Sequence, residues 1–101
     1  MKLSQMRTSD QVLARQLKDP KFRAEWERTA LARAVATRLV QYRAEHGLTQ
    51  TALAERLGMK QPAIARLESA EHNPSLDTLA RLATTLGFEF QIAVTPNGIA
   101  I

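Results

Sequence analysis

Residues 50–68 read QTALAERLGMKQPAIARLE, and this stretch constrains the fold more than any other part of the chain. Leu53, Leu57, Met59, Ile64 and Leu67 fall at the apolar positions of two short helices packed across a tight turn. Gly58 can take the positive φ that such a turn requires, and Ala54 is small where the second helix crosses the first. Thr49 can cap the first helix. Pro62 suits the first turn of the second, where a missing N–H has no helical partner to lose.

The flanking segments are helical as well. Ser9-Asp10 can cap a short helix carrying Leu13 and Leu17, whereas residues 1–8 lack a period and are expected to be mobile. Asp19-Pro20 is a stronger start signal, and the helix it opens runs through an Ala-rich stretch to His46, with Gly47 as its left-handed stop. Two stripes along this helix disagree in phase. Leu31, Val35, Leu39 and Tyr42 make one core-facing seam. Phe22 and Trp26, at about 100° per residue, point roughly 180–220° away from it. Either the chain bends near Thr29, or Phe22 and Trp26 serve a second surface. Beyond the loop at residues 70–74, Ser75 caps a helix bearing Leu76, Leu79, Leu82, Ala83 and Leu86, ended by Gly87. The period then becomes two, with Phe88, Phe90, Ile92 and Val94 alternating with more polar residues until Pro96-Asn97-Gly98 ends the strand. The expected fold class is all-α, a five-helix domain with an N-terminal helical extension and one short C-terminal strand that pairs in a dimer.

Composition removes several classes of function. The chain has no cysteine, which excludes disulfides, thiolate metal sites and a cysteine nucleophile. His46 and His72 lack metal-ligand spacing, so no metal and no other cofactor is expected. Nucleophile–base pairs, a glycine-rich phosphate loop and a carboxylate pair are all missing, so an enzyme is not expected. There is neither a run of 18 apolar residues nor an apolar signal core, and the expectation is a cytoplasmic protein with no membrane partner. The net charge of +4 favours acidic partners. Its distribution is uneven: residues 1–28 carry seven Lys or Arg against four acids, residues 29–101 seven against six. A nucleic-acid role for the second part must therefore come from residues placed on one face.

GLTQTALAERLGMKQPAIARLE followed by NPSLDTLARLATTLG resembles the Xre/Cro family of helix-turn-helix DNA-binding domains, over residues 31–87. The resemblance implies that the second helix of the unit lies in the major groove, with Lys60, Gln61, Ala63 and Arg66 toward base edges. Gln61 would pair with adenine, and Arg66 or Lys60 with guanine. Gln50 and Thr51 would contact phosphate and set register. Pro62 stands where the family usually has a polar residue, and it can touch a thymine methyl. An ion pair between Arg43 and Glu68 is also implied, with the Arg43 charge near a phosphate. The competing reading is that Gln61 caps its helix, Lys60 and Arg66 are solvated, Ala63 packs, and Arg43 and Glu68 are unrelated surface charges.

Two further expectations concern partners. A lone strand with apolar Phe88, Phe90, Ile92 and Val94 leaves its backbone unpaired, and pairing with the same strand of a second copy would make a homodimer that reads a palindrome of double-stranded operator DNA. The alternative is that residues 88–95 fold back over the chain's own helices. The N-terminal segment LKDPKFRAEWE resembles that preceding the helix-turn-helix in antitoxins of the HigA type. That resemblance implies a small RelE/HigB-like ribonuclease toxin bound through Leu13, Leu17, Phe22 and Trp26, and repression of the chain's own operon. The competing function is a stand-alone Xre-type transcriptional regulator whose extension only completes the fold. The domain division is then 1–28 as the candidate toxin-binding extension, 29–87 as the DNA-binding domain, and 88–101 as the dimerisation strand and tail.

Overall fold

A computed structural model describes residues 9–96 and 98–100; the expectations for residues 1–8 and for Asn97 lie outside these. In chain order the described elements are α1 (Ser9–Gln16), α2 (Pro20–Arg28), α3 (Ala30–His46), α4 (Gln50–Leu57), α5 (Gln61–Glu68), α6 (Leu76–Leu86), β1 (Ala93–Thr95) and β2 (Gly98–Ala100). None of these helices is long and apolar enough to cross a membrane.

The helix over residues 20–46 is divided at Thr29 into α2 and α3, the first of the two alternatives that the stripes left open. Thr29 sits at φ −101°, ψ 14°, between the last turn of α2 and the first of α3. The bend resolves the two stripes. Leu31, Val35 and Leu39 turn into the core with Tyr42 packed beside them, while α2 buries none of its residues. Asp19 opens α2 as expected, its carboxylate accepting from the amide of Lys21 at 2.9 Å with Pro20 in the first position.

Leu31, Val35, Leu39, Leu53, Ala54, Leu57, Ile64, Leu79, Leu82 and Phe88 form one core drawn from α3 to α6 and the segment that follows. Each helix contributes a narrow apolar face, and burial of such side chains at about 25 cal/mol per Å² is what holds the short helices in place. Leu76 departs from the expected face of α6: it begins the helix and is 80% exposed.

The C-terminal segment differs from the sequence reading. The strand starts at Ala93, not at Phe88, because Phe88 is a plug in the chain's own core, 9% exposed and edge-on to Tyr42 at 5.8 Å between ring centroids. Arg38 straps this segment to α3: its guanidinium lies 4.4 Å from the Phe88 ring centroid, and Nη1 donates to the carbonyl oxygen of Glu89 at 3.1 Å. Phe90 and Ile92 are half-buried against the core. Residues 88–92 thus fold back over the chain's own helices, and a dimerisation strand of Phe88, Phe90, Ile92 and Val94 does not exist as one element. A second strand is present in the chain after all. β2 runs antiparallel to β1 with Ala93 opposite Ala100, Val94 opposite Ile99 and Thr95 opposite Gly98. β2 of this hairpin lies against α2 and α3.

Candidate nucleic-acid interface

The turn between α4 and α5 is fixed by backbone bonds that its sequence permits. Gly58 adopts φ 67°, ψ 31°; its amide donates to the carbonyl oxygen of Glu55, and that of Met59 to Ala54 at 2.8 Å. This is the doubled bond pattern of a Schellman ending, with Met59 packed on the core as the pattern favours. Thr49 caps α4 by accepting from the amide of Ala52 at 3.0 Å. Arg81 of α6 donates to the carbonyl oxygen of Gly58 at 3.3 Å and braces the turn from behind. α5 is thereby held across α4, with Ile64 as its buried residue.

α5 turns the other face outward. Lys60, Gln61, Pro62 and Arg66 are exposed and Ala63 is half-buried; Thr51 is exposed at the start of α4, and Gln50 and Arg43 are half-buried. Lys60 precedes the helix in extended conformation without a side-chain cap, so Gln61 is not the capping residue of the competing reading. The loss is small because Pro62 has no amide to satisfy.

A network of four side chains underlies this face. Arg43 grips Glu68 in two bonds, Nε to Oε2 at 2.7 Å and Nη2 to Oε1 at 2.6 Å. Gln50 Nε2 donates to Glu68 Oε1 at 3.1 Å, and Gln61 Nε2 donates to Gln50 Oε1 at 2.8 Å. Burial alone would raise the pKa of Glu68, but the bonds from Arg43 and Gln50 outweigh it and hold the carboxyl below the ordinary carboxylate range. The network orients the Gln61 amide while leaving it one N–H and the Oε1 acceptor, the pair that bidentate contact with adenine uses.

The expected Arg43–Glu68 ion pair is therefore present. Gln50 also bridges Glu68 and Gln61 at the edge of the surface. Sequence spacing gives no sign of this bridge, because its members lie 11 and 18 residues apart. Leu13, Leu17, Phe22 and Trp26 are all half-buried and lie outside the α4–α5 face. Phe22 and Trp26 stack at 6.1 Å between centroids, and the Arg33 guanidinium lies 3.3 Å from the Trp26 ring centroid. Burial pushes the pKa of Arg33 down from its usual value.

Two short helices crossed over a braced turn, the second presenting Lys60, Gln61 and Arg66, define a DNA-binding helix-turn-helix regulator. The chain belongs to the Xre-type helix-turn-helix family, whose family model, described as helix-turn-helix, matches residues 39–92. It is similar to an uncharacterized HTH-type transcriptional regulator of Haemophilus influenzae, 41% identical over 54 residues, covering 54% of this chain and 55% of the relative. It is also similar to the antitoxin HigA1 of Mycobacterium tuberculosis, 30% identical over 76 residues, 75% of this chain and 51% of that protein. A third relative is the HTH-type transcriptional regulator SutR of Escherichia coli, 33% identical over 66 residues, 65% of this chain and 37% of the relative. The chain spans about half the length of the first two and less of the third. No solved structure matches it.

Proposed function

We propose that the chain is an antitoxin and autorepressor, which binds operator DNA as a homodimer through α5 and neutralises a RelE/HigB-like ribonuclease toxin through its N-terminal extension. The observation that carries the second half is α2. It buries none of its residues, yet it holds Phe22 and Trp26 in a half-exposed stack of the kind that serves as an interface anchor. The likeness to an antitoxin over 76 residues, more than the helix-turn-helix itself occupies, supports the same reading.

The homodimer in this reading uses the outer edge of β1. Among the described residues β1 has one strand neighbour, β2, and Val94 is 78% exposed. Two copies of α5 about one helical turn apart on DNA would double the contacts made by one. We read the chain as a binding protein and not an enzyme, acting in the cytoplasm.

The second reading is a stand-alone regulator. Its support is the Arg33–Trp26 contact, which already occupies one face of the ring, and the relatives that are named only as regulators. Co-expression with the product of the adjacent open reading frame, followed by purification on a tag carried by that product, separates the two. Recovery of this chain with it, lost in Phe22→Ala/Trp26→Ala, is the expected result. If the adjacent product is not a small basic protein, or if it binds the double variant equally, the antitoxin reading is overturned.

A further inference from the structure

α3 starts without a side-chain cap of its own. Thr29, at the junction, directs Oγ1 elsewhere: it donates toward the carbonyl oxygens of Glu25 at 3.1 Å and Trp26 at 3.4 Å, and accepts from Arg33 Nη1 at 2.6 Å. The amide of Ala32 is one of the open donors of the first turn, and Ala32 is 1% exposed, so water cannot stand in for a partner. The partner comes from 41 residues downstream. Oδ1 of Asn73 accepts from the Ala32 amide at 3.1 Å, while Nδ2 of the same side chain donates at 3.2 Å to the carbonyl oxygen of Arg28, the last residue of α2. One carboxamide spans the break between two helices.

Asn73 belongs to the loop that leaves α5. That loop departs through Ala70 at φ 58°, the one left-handed non-glycine among the described residues, a conformation that a Cβ disfavours and that surrounding contacts must hold. From α5 the connection thus runs through Ala70 and Asn73 to the Thr29 break. Beyond the break lies Trp26, tied to α3 by Arg33.

We infer that Asn73 is a positioning residue that couples the seat of α5 to the angle of α2, so that DNA on α5 and a protein partner on α2 alter each other's affinity. The two states are α2 latched, with both Asn73 bonds made, and α2 released about Thr29. A ligand that displaces the loop after α5 favours the second, and by linkage whatever holds α2 in one state changes DNA affinity by the same factor. The inference rests on α5 as the DNA-contacting helix; it does not need the partner on α2 to be a toxin.

Trp26 is the only tryptophan, and its emission therefore reports on α2 alone. The probe is a duplex that the wild-type chain selects from a random-sequence pool. Saturating the full chain with this duplex should shift Trp26 emission. Asn73→Asp keeps an acceptor for the Ala32 amide but removes the donor to Arg28. It should melt near the wild-type temperature and still bind the duplex, with the emission response reduced several-fold. Asn73→Ala, which also uncaps Ala32, should lose both the response and thermal stability. A wild-type chain that binds the duplex without any change in Trp26, or an Asn73→Asp chain that responds in full, overturns the coupling alone. Failure to select any duplex overturns the DNA reading and the coupling with it.

Discussion

Arg43 and Glu68 lie 25 residues apart in sequence and meet as a forked ion pair, the Arg43 side chain only 22% exposed and that of Glu68 8% exposed. The pair joins α3 to the end of α5, and the third donor of Arg43, Nη1, reaches the carbonyl oxygen of Leu48 at 3.3 Å. It is the strut that keeps the outward helix from rocking on its neighbour. Removing one member strands the other in a partly dry site. Arg43→Ala should therefore cost about 2–4 kcal/mol of stability, between the values for exposed and buried pairs, as read by chemical denaturation.

The same pair predicts a response to acid. Because the folded state holds the pKa of Glu68 below its unfolded value, the stabilisation is complete above about pH 4.3 and is lost as pH falls through the lower folded value. Thermal melts between pH 7 and pH 3 should show wild-type stability falling in that acid range. Glu68→Gln, which cannot titrate, should start lower and fall less. Parallel curves for the two would show that Glu68 contributes nothing to the acid transition.

Gln50 accepts from the Gln61 amide and orients it. Gln50→Ala should weaken binding to a selected duplex by about 0.5–1.5 kcal/mol, the net worth of a typical hydrogen bond, and leave binding to random duplex nearly unchanged. Fluorescence anisotropy on the two duplexes measures the difference. Equal losses on both would make Gln50 a phosphate contact, as the sequence alone suggests.

Arg66 is exposed on the second turn of α5. Arg66→Ala should cost about 1–3 kcal/mol on the selected duplex and relax base preference at one position per half-site, visible when selection is repeated with the variant. An unchanged preference with weakened binding would assign Arg66 to the backbone.

Phe88 and Val94 separate folding from assembly. Phe88→Ala should lower stability by about 3–5 kcal/mol, because it empties part of the core. Val94→Asp should leave the melting temperature within a few degrees, since the side chain is exposed, but yield monomers by light scattering if the β1 edge pairs two copies. A dimeric Val94→Asp chain would move the interface elsewhere.

The sequence revealed most of the helices because each carries its own punctuation. Asp19, Thr49 and Ser75 cap, Gly47, Gly58 and Gly87 stop, and the phase conflict between Trp26 and Leu31 made a bend near Thr29 one of two alternatives. What was not legible depends on long-range partners. Phe88 continues an alternating pattern, and nothing local says that Tyr42 and Arg38 hold it out of a strand. The hairpin did carry a signal in the sequence: Asn97-Gly98 is a turn dipeptide, here read as a strand end. Gln50 and Asn73 were read from their own neighbourhoods, as a phosphate contact and a loop residue. Their side-chain bonds run to Glu68, Gln61, Ala32 and Arg28, which the fold brings to them.

The contact between β2 and α2 has a bearing on the order in which the molecule assembles. α3, α4 and α5 are neighbours in sequence and find one another quickly, whereas the seat of α2 on β2 must wait for a segment far along the chain. The side of α2 that β2 covers is thus closed late, so a binder that recognises that side meets it open early in the life of the polypeptide.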